Sequence, residues 1–94
     1  MTDKELLELA AKAAGYLDDE WMRLRYEKKT WNPLTDDGDA LRLAVKLNMS
    51  IDMVLMAIYA ARKCVAAIAL GTDSYAATRL AIVKAAAEIG RTLP

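Results

Sequence analysis

Met49-Ser-Ile-Asp-Met-Val-Leu-Met-Ala-Ile-Tyr-Ala-Ala-Arg-Lys-Cys-Val-Ala-Ala-Ile-Ala-Leu70 decides the fold. Its alanine, leucine and methionine favour one long buried helix. Against that, Ser50-Ile51-Asp52-Met53 alternates, and residues that suit strands enrich the stretch after it. In this second reading Arg62-Lys63 is the tip of a hairpin joining Ile51–Ala60 to Cys64–Leu70. Propensity leaves the contest even. Helix at Met53–Leu70 makes the chain an all-α bundle; a hairpin makes it α+β. Neither reading spans a membrane, because Arg62-Lys63 interrupts the apolar run near its middle.

The preceding segment, Trp31-Asn-Pro-Leu-Thr-Asp-Asp-Gly-Asp-Ala-Leu-Arg-Leu-Ala-Val-Lys-Leu47, reads as a proline turn feeding a helix. Pro33 keeps Asn32 extended, so no helix runs through the pair. Thr35, Asp36 and Asp37 are all N-cap types. Leu41, Ala44, Val45 and Leu47 make the expected inward face, with Asp39, Arg42 and Lys46 opposite. Asn48 is the expected stop, since asparagine tolerates the left-handed conformation. Asp36, Asp37 and Asp39 are read as caps and dipole partners rather than metal ligands, because the helix after them supplies no further acid.

Towards the N-terminus, Thr2 to Ala14 is a helix opened by a Thr2–Glu5 capping box and closed at Gly15. Leu6, Leu9, Ala10 and Ala13 form its inward stripe. Asp18-Asp19-Glu20 reads as an acidic turn. Trp21 to Lys29 then alternates, with Met22, Leu24 and Tyr26 on one side and Arg23, Arg25 and Glu27 on the other, which is the pattern of a half-buried strand. Arg23, Arg25, Lys28 and Lys29 are the one local basic cluster. Towards the C-terminus, Gly71-Thr72-Asp73-Ser74 is a turn into a last helix, Tyr75 to Ile89, closed by Gly90 and trailed by the tail Arg91–Pro94. Arg79 projects from the apolar arc of that helix, and a charge there must be paired or snorkel out to water. Asp36, Asp37 and Asp39 are the candidate partners.

The chain has 94 residues, enough for a single domain over 1–94 with one modest core. Basic and acidic residues number 13 each, so there is no broad electrostatic grip on nucleic acid or an anionic membrane. The chain has no histidine and one cysteine, Cys64. Histidine acid–base chemistry, Cys/His zinc sites and an intramolecular disulfide are thereby excluded. Cys64 reads as an inert small hydrophobe. The opening Met-Thr-Asp-Lys-Glu is too polar for a secretory signal, so a cytoplasmic protein is expected.

The Trp31–Leu47 block and Tyr75-Ala-Ala-Thr-Arg-Leu-Ala-Ile-Val-Lys-Ala-Ala-Ala-Glu-Ile-Gly90 together resemble the phage ABA-sandwich domain family, and Glu5–Gly15 looks similar too. These are small proteins of tailed phages and prophages, mostly without an assigned role. The resemblance implies helix–sheet–helix layering. It tips the fold towards α+β, a small antiparallel sheet layered with helices in the order α-β-α-β-β-α. It carries no catalytic residues.

No nucleophile elbow, phosphate-binding glycine loop or pair of acids is present, so no enzyme and no cofactor or metal is expected. The expected function is a small phage-encoded protein-binding module acting on a host protein in the host cytoplasm, in its most concrete form an inhibitor of a defence system such as CRISPR-Cas. Trp21, Trp31, Tyr16 and Tyr75 are the candidates for exposed anchors, with core or turn packing the alternative for both tryptophans. Trp21, Arg23, Arg25, Trp31, Asp36, Asp37, Tyr75 and Arg79 form the expected partner-binding set, since aromatics beside arginine anchor interfaces. The alternative is a nucleic-acid-binding accessory protein using Arg23 to Lys29, where charge and stacking rings coincide. Self-association is expected from the edges of a small open sheet.

Overall fold

A computed structural model describes residues 1–60, 63–69, 71 and 73–93. Four helices and a three-stranded antiparallel sheet run in the order α1 (Asp3–Ala13), α2 (Glu20–Glu27), α3 (Asp37–Lys46), β1 (Ser50–Asp52), β2 (Ala57–Ala60), β3 (Lys63–Ala67) and α4 (Ser74–Thr92). The protein is thus α+β, with the sheet in strand order β1-β2-β3. The order α-β-α-β-β-α is corrected to α-α-α-β-β-β-α at two places.

The first correction is Trp21 to Lys29, a helix rather than a strand. The Asp19 carboxylate accepts from the Met22 N–H at 3.0 Å and so caps it. No residue from Trp21 to Lys29 is β-branched. The half-buried side chains are Met22, Arg25 and Tyr26, a helical spacing that the Met22-Leu24-Tyr26 alternation conceals. The second correction lies in Ile51–Ala60, which is two strands. Asp52 turns the chain by accepting from the N–H groups of Val54 and Leu55, at 3.0 and 2.8 Å, and Met56 adopts a left-handed φ of 54°. β2 then pairs with β3, as the hairpin reading requires. Of the expected Arg62-Lys63 tip, Arg62 lies outside the described residues, as do the Cys64 side chain, Thr72 and Pro94.

Local chemistry accounts for the helix ends. Thr2, Asp19, Asp36 and Asp73 each cap a helix by accepting from the N–H three residues on, and the Thr2–Glu5 capping box is complete. Helices α1, α2 and α3 end alike, with Gly15, Lys29 and Asn48 at positive φ. In each case the next N–H reaches back to the carbonyl five residues earlier: Tyr16 to Ala11, Thr30 to Arg25 and Met49 to Ala44, all at 2.9 Å.

α4 is the central helix. α1, α3, β2 and β3 all pack on it, and Ala81, Ile82, Val83, Ala85, Ala86, Ala87 and Gly90 are buried. The sheet turns Ile58 into this core. α1 and α3 pack chiefly on α4, and α4 in turn packs on β2 and β3, so the sheet is layered with helices. On α3 the inward face is Asp39, Ala40, Leu43 and Ala44, while Leu41 and Val45 are exposed. The apolar face expected there is therefore rotated. Alanine permits close approach of α4, and Asp39 is admitted because its charge is matched.

The expected stop at Gly90 is also corrected. The helix continues to Thr92, and Gly90 serves packing: a β-carbon there would collide with the backbone carbonyl of Leu9 in α1. The helix on either side of Leu9 holds that carbonyl in place, so it cannot swing away as a side chain would. Lys12 of α1 caps the far end by donating to the Leu93 carbonyl at 3.1 Å. Gly90→Ala is expected to cost about 2 kcal/mol, despite the roughly 1 kcal/mol by which alanine is favoured over glycine within helices. Urea denaturation measures this. A variant as stable as the parent would contradict the packing assigned to Gly90.

Candidate functional site

Of the expected partner-binding residues, four meet at one groove or its edge. Asp37, at the first turn of α3, and Tyr75 and Arg79, in the first two turns of α4, line an open groove of about 530 Å³ together with Leu41, Ile51 and Met53. Asp36 stands just before it as the α3 cap. The groove forms because α3 and α4 start side by side while the β1–β2 turn folds over them. Arg79 donates from Nη1 to the Asp37 carboxylate at 2.6 Å and from Nε to the Leu34 carbonyl at 2.9 Å. The expected partner of Arg79 among the three aspartates is thus Asp37. Its carboxylate is open to water, which leaves the pair a small contribution to stability.

The lining is mostly apolar, and so is the rim. Tyr75 is 74% exposed, and Leu41, Val45 and Met53 are also exposed. At the tip of the β1–β2 turn, Val54 is 91% exposed and Leu55 stands out beside it. Leu41, Met53 and Tyr75 around one groove mark an interaction surface more readily than a single exposed leucine does. Val54 and Leu55 were not among the expected residues. The signal for them was Asp52, whose turn chemistry lifts the next side chains out of the sheet.

Trp21 and Arg23 lie apart from this groove on α2. Trp21 is 70% exposed, with Leu24 beside it one turn on. Acidic Asp18, Asp19 and Glu20, all exposed, precede them, and Arg23 pairs loosely with Glu27 at 3.9 Å. No residue of α2 is buried.

Trp31 and Arg25 are corrected. Trp31 is 3% exposed and packs edge-on against Tyr16, with ring centroids 5.5 Å apart, so Tyr16 is half-buried rather than exposed. Burial pushes the Tyr16 hydroxyl above its ordinary pKa. Arg25 leaves the basic cluster and turns inward to Asp39, itself expected on the outer face of α3 but 2% exposed. Arg25 grips both carboxylate oxygens at 3.2 Å. Arg42 donates to Oδ1 at 3.0 Å and the Asn32 N–H to Oδ2 at 3.0 Å. Each oxygen therefore receives two donors, which the fork of Arg25 makes possible.

Among the described residues no group of three or more acidic, cysteine or histidine side chains is placed to hold a metal ion. No helix among them is long and apolar enough to cross a membrane. Comparison with protein-family models, curated proteins and solved structures finds no match to this chain.

The Asp39 site carries a pH dependence. Burial opposes its ionisation, but the Asn32 amide and the guanidinium groups of Arg42 and Arg25 outweigh burial and hold the carboxyl below its ordinary range. A carboxyl depressed by folding stabilises above its unfolded pKa of about 4, and that contribution is lost as pH falls through the folded value. Asp39→Asn is expected to cost about 3 kcal/mol at pH 7, because it strips a partly buried arginine of its counter-charge. The gap between variant and parent is expected to narrow as the pH falls below about 4. Urea unfolding at pH 7 and pH 3 measures both; a gap independent of pH would contradict the assignment.

Proposed function

We propose that this protein is a small phage-encoded, non-enzymatic protein-binding module whose partner is a host protein, the setting being inhibition of a host defence system such as CRISPR-Cas. The binding reading is carried by α2. This helix buries none of its residues and holds an indole 70% exposed, with Leu24 beside it. Exposing both side chains costs about 2 kcal/mol each relative to burial, and a partner recovers that on docking. Tryptophan at the centre of an interface is among the commonest anchors. The acids at Asp18, Asp19 and Glu20 suit a partner that offers an apolar slot for the indole with basic groups at its edge. The phage and anti-defence setting rests on the resemblance of the Trp31–Leu47 and Tyr75–Gly90 blocks alone.

The nucleic-acid alternative has less support. With Arg25 turned onto Asp39, the basic cluster keeps Arg23, Lys28 and Lys29, and Arg23 faces Glu27. The reduced cluster offers a short and partly neutralised track for phosphates.

Affinity capture from phage-infected host lysate tests the proposal, using the parent chain, Trp21→Ala and Trp21→Phe, each with and without nuclease. One stoichiometric host protein that survives nuclease is expected with the parent, lost at least tenfold with Trp21→Ala and partly restored with Trp21→Phe. Equal capture by all three would remove α2 from the binding surface. Capture that depends on nucleic acid would favour the alternative.

A further inference from the structure

We infer that the face around the α3–α4 groove is a two-fold interface between two copies of this chain. It is separate from α2, so this inference and the host-binding reading stand or fall independently. Three observations carry it.

The first is area. Leu41, Val45, Met53, Val54, Leu55 and Tyr75 are all large, apolar and exposed by about half or more, with Met53 at 49%. Leu41, Met53 and Tyr75 line the groove, Val54 and Leu55 follow Met53 in the chain, and Val45 lies one turn beyond Leu41 on α3, so together they offer a surface on the order of the ~800 Å² each partner gives to a standard interface.

The second is shape. The face carries a knob and a hole side by side. The knob is the β1–β2 tip, where the Asp52 carboxylate ties down the Val54 and Leu55 N–H groups and leaves their side chains outward. The hole is the groove of about 530 Å³, with room for both of those side chains. Met53 belongs to both, as it lines the groove and begins the tip. An axis passing beside Met53 sets each tip over the other copy's groove, the self-complementary arrangement that a closed dimer needs.

The third is charge. The chain has zero formal net charge. At the groove the Arg79 cation is already matched by Asp37 at 2.6 Å. A two-fold axis brings groups near it close to their own copies, and the Arg79–Asp37 pair meets its copy already neutralised. A host partner on this face would meet the same apolar surface, but the knob that fits this hole is present on the chain itself.

Sedimentation equilibrium on the full chain tests the inference, from about 1 to 300 μM, for the parent, Val54→Asp and Leu41→Glu. Both substituted positions are exposed and lie on different elements, and circular dichroism verifies the fold of each. The parent is expected to sediment at twice the 10.3 kDa chain mass. Each variant is expected to raise the dissociation constant at least tenfold, since the two-fold axis makes every substitution act twice. Trp21→Ala is expected to leave the dimer unchanged. A parent that stays monomeric over the whole range, forms any other stoichiometry, or dimerises equally with Val54→Asp and Leu41→Glu overturns the inference.

Discussion

A carboxylate taken out of water must be matched donor for donor, and the Asp39 carboxylate is the place where this chain meets that demand. Its four donors come from three places: Arg25 of α2, Asn32 of the proline turn and Arg42 of its own helix. Arg25 also donates to the Thr30 carbonyl at 2.8 Å, tying down the end of α2 with the same guanidinium. Around this knot the aromatic trio closes, with Tyr16 edge-on to Trp31 and Tyr26 tilted against it at 6.3 Å. α2 has no buried residue of its own, so its position depends on Arg25 and on the contacts of Met22 and Tyr26. The cost of such a centre is rigidity of design. Removing one member leaves charge stranded in a partly dry site, which is worse than never having placed it there.

The rest of the molecule is built by small residues. α4 is buried on several sides because alanines at 81, 85, 86 and 87 let its neighbours approach. Gly90 takes this to its limit against Leu9. A core made this way holds little volume per contact, so large apolar side chains are left over for the surface. Leu41, Met53 and Tyr75 stand around one groove, and Trp21 and Leu24 lie together elsewhere.

Much of what depended on neighbours in sequence was legible before folding. Thr2, Asp36, Gly15 and Asn48 act at helix ends through atoms within a few residues. Arg79 was legible for a different reason: a cation in an apolar arc has to find an acid, and few acids were near. Most of the features missed were decided by distant groups or by strain. Asp39 was assigned to the solvent face because nothing in α3 reveals a guanidinium 14 residues earlier. Trp31 looked exposed because its cover, Tyr16, lies on the other side of α2 in the sequence. Lys29 and Met56 adopt left-handed conformations for which neither residue type is a marker. The alternation of Trp21 to Lys29 mimicked a strand, while the Asp19 cap and the absence of β-branched residues pointed the other way. The groove itself could not be read, since it arises where three elements separated in sequence meet.

The central claim is that Arg25 on Asp39 holds α2 in place while α1 and α4 stand without it. Native-state hydrogen exchange on Arg25→Met, compared residue by residue with the parent, tests it most directly. The account predicts that amides of α2 lose protection by at least tenfold, along with Asn32, while those of buried α4 from Ala81 to Ala87 keep theirs. Protection in α2 that survives the substitution, or an equal loss across α1 and α4, would contradict it.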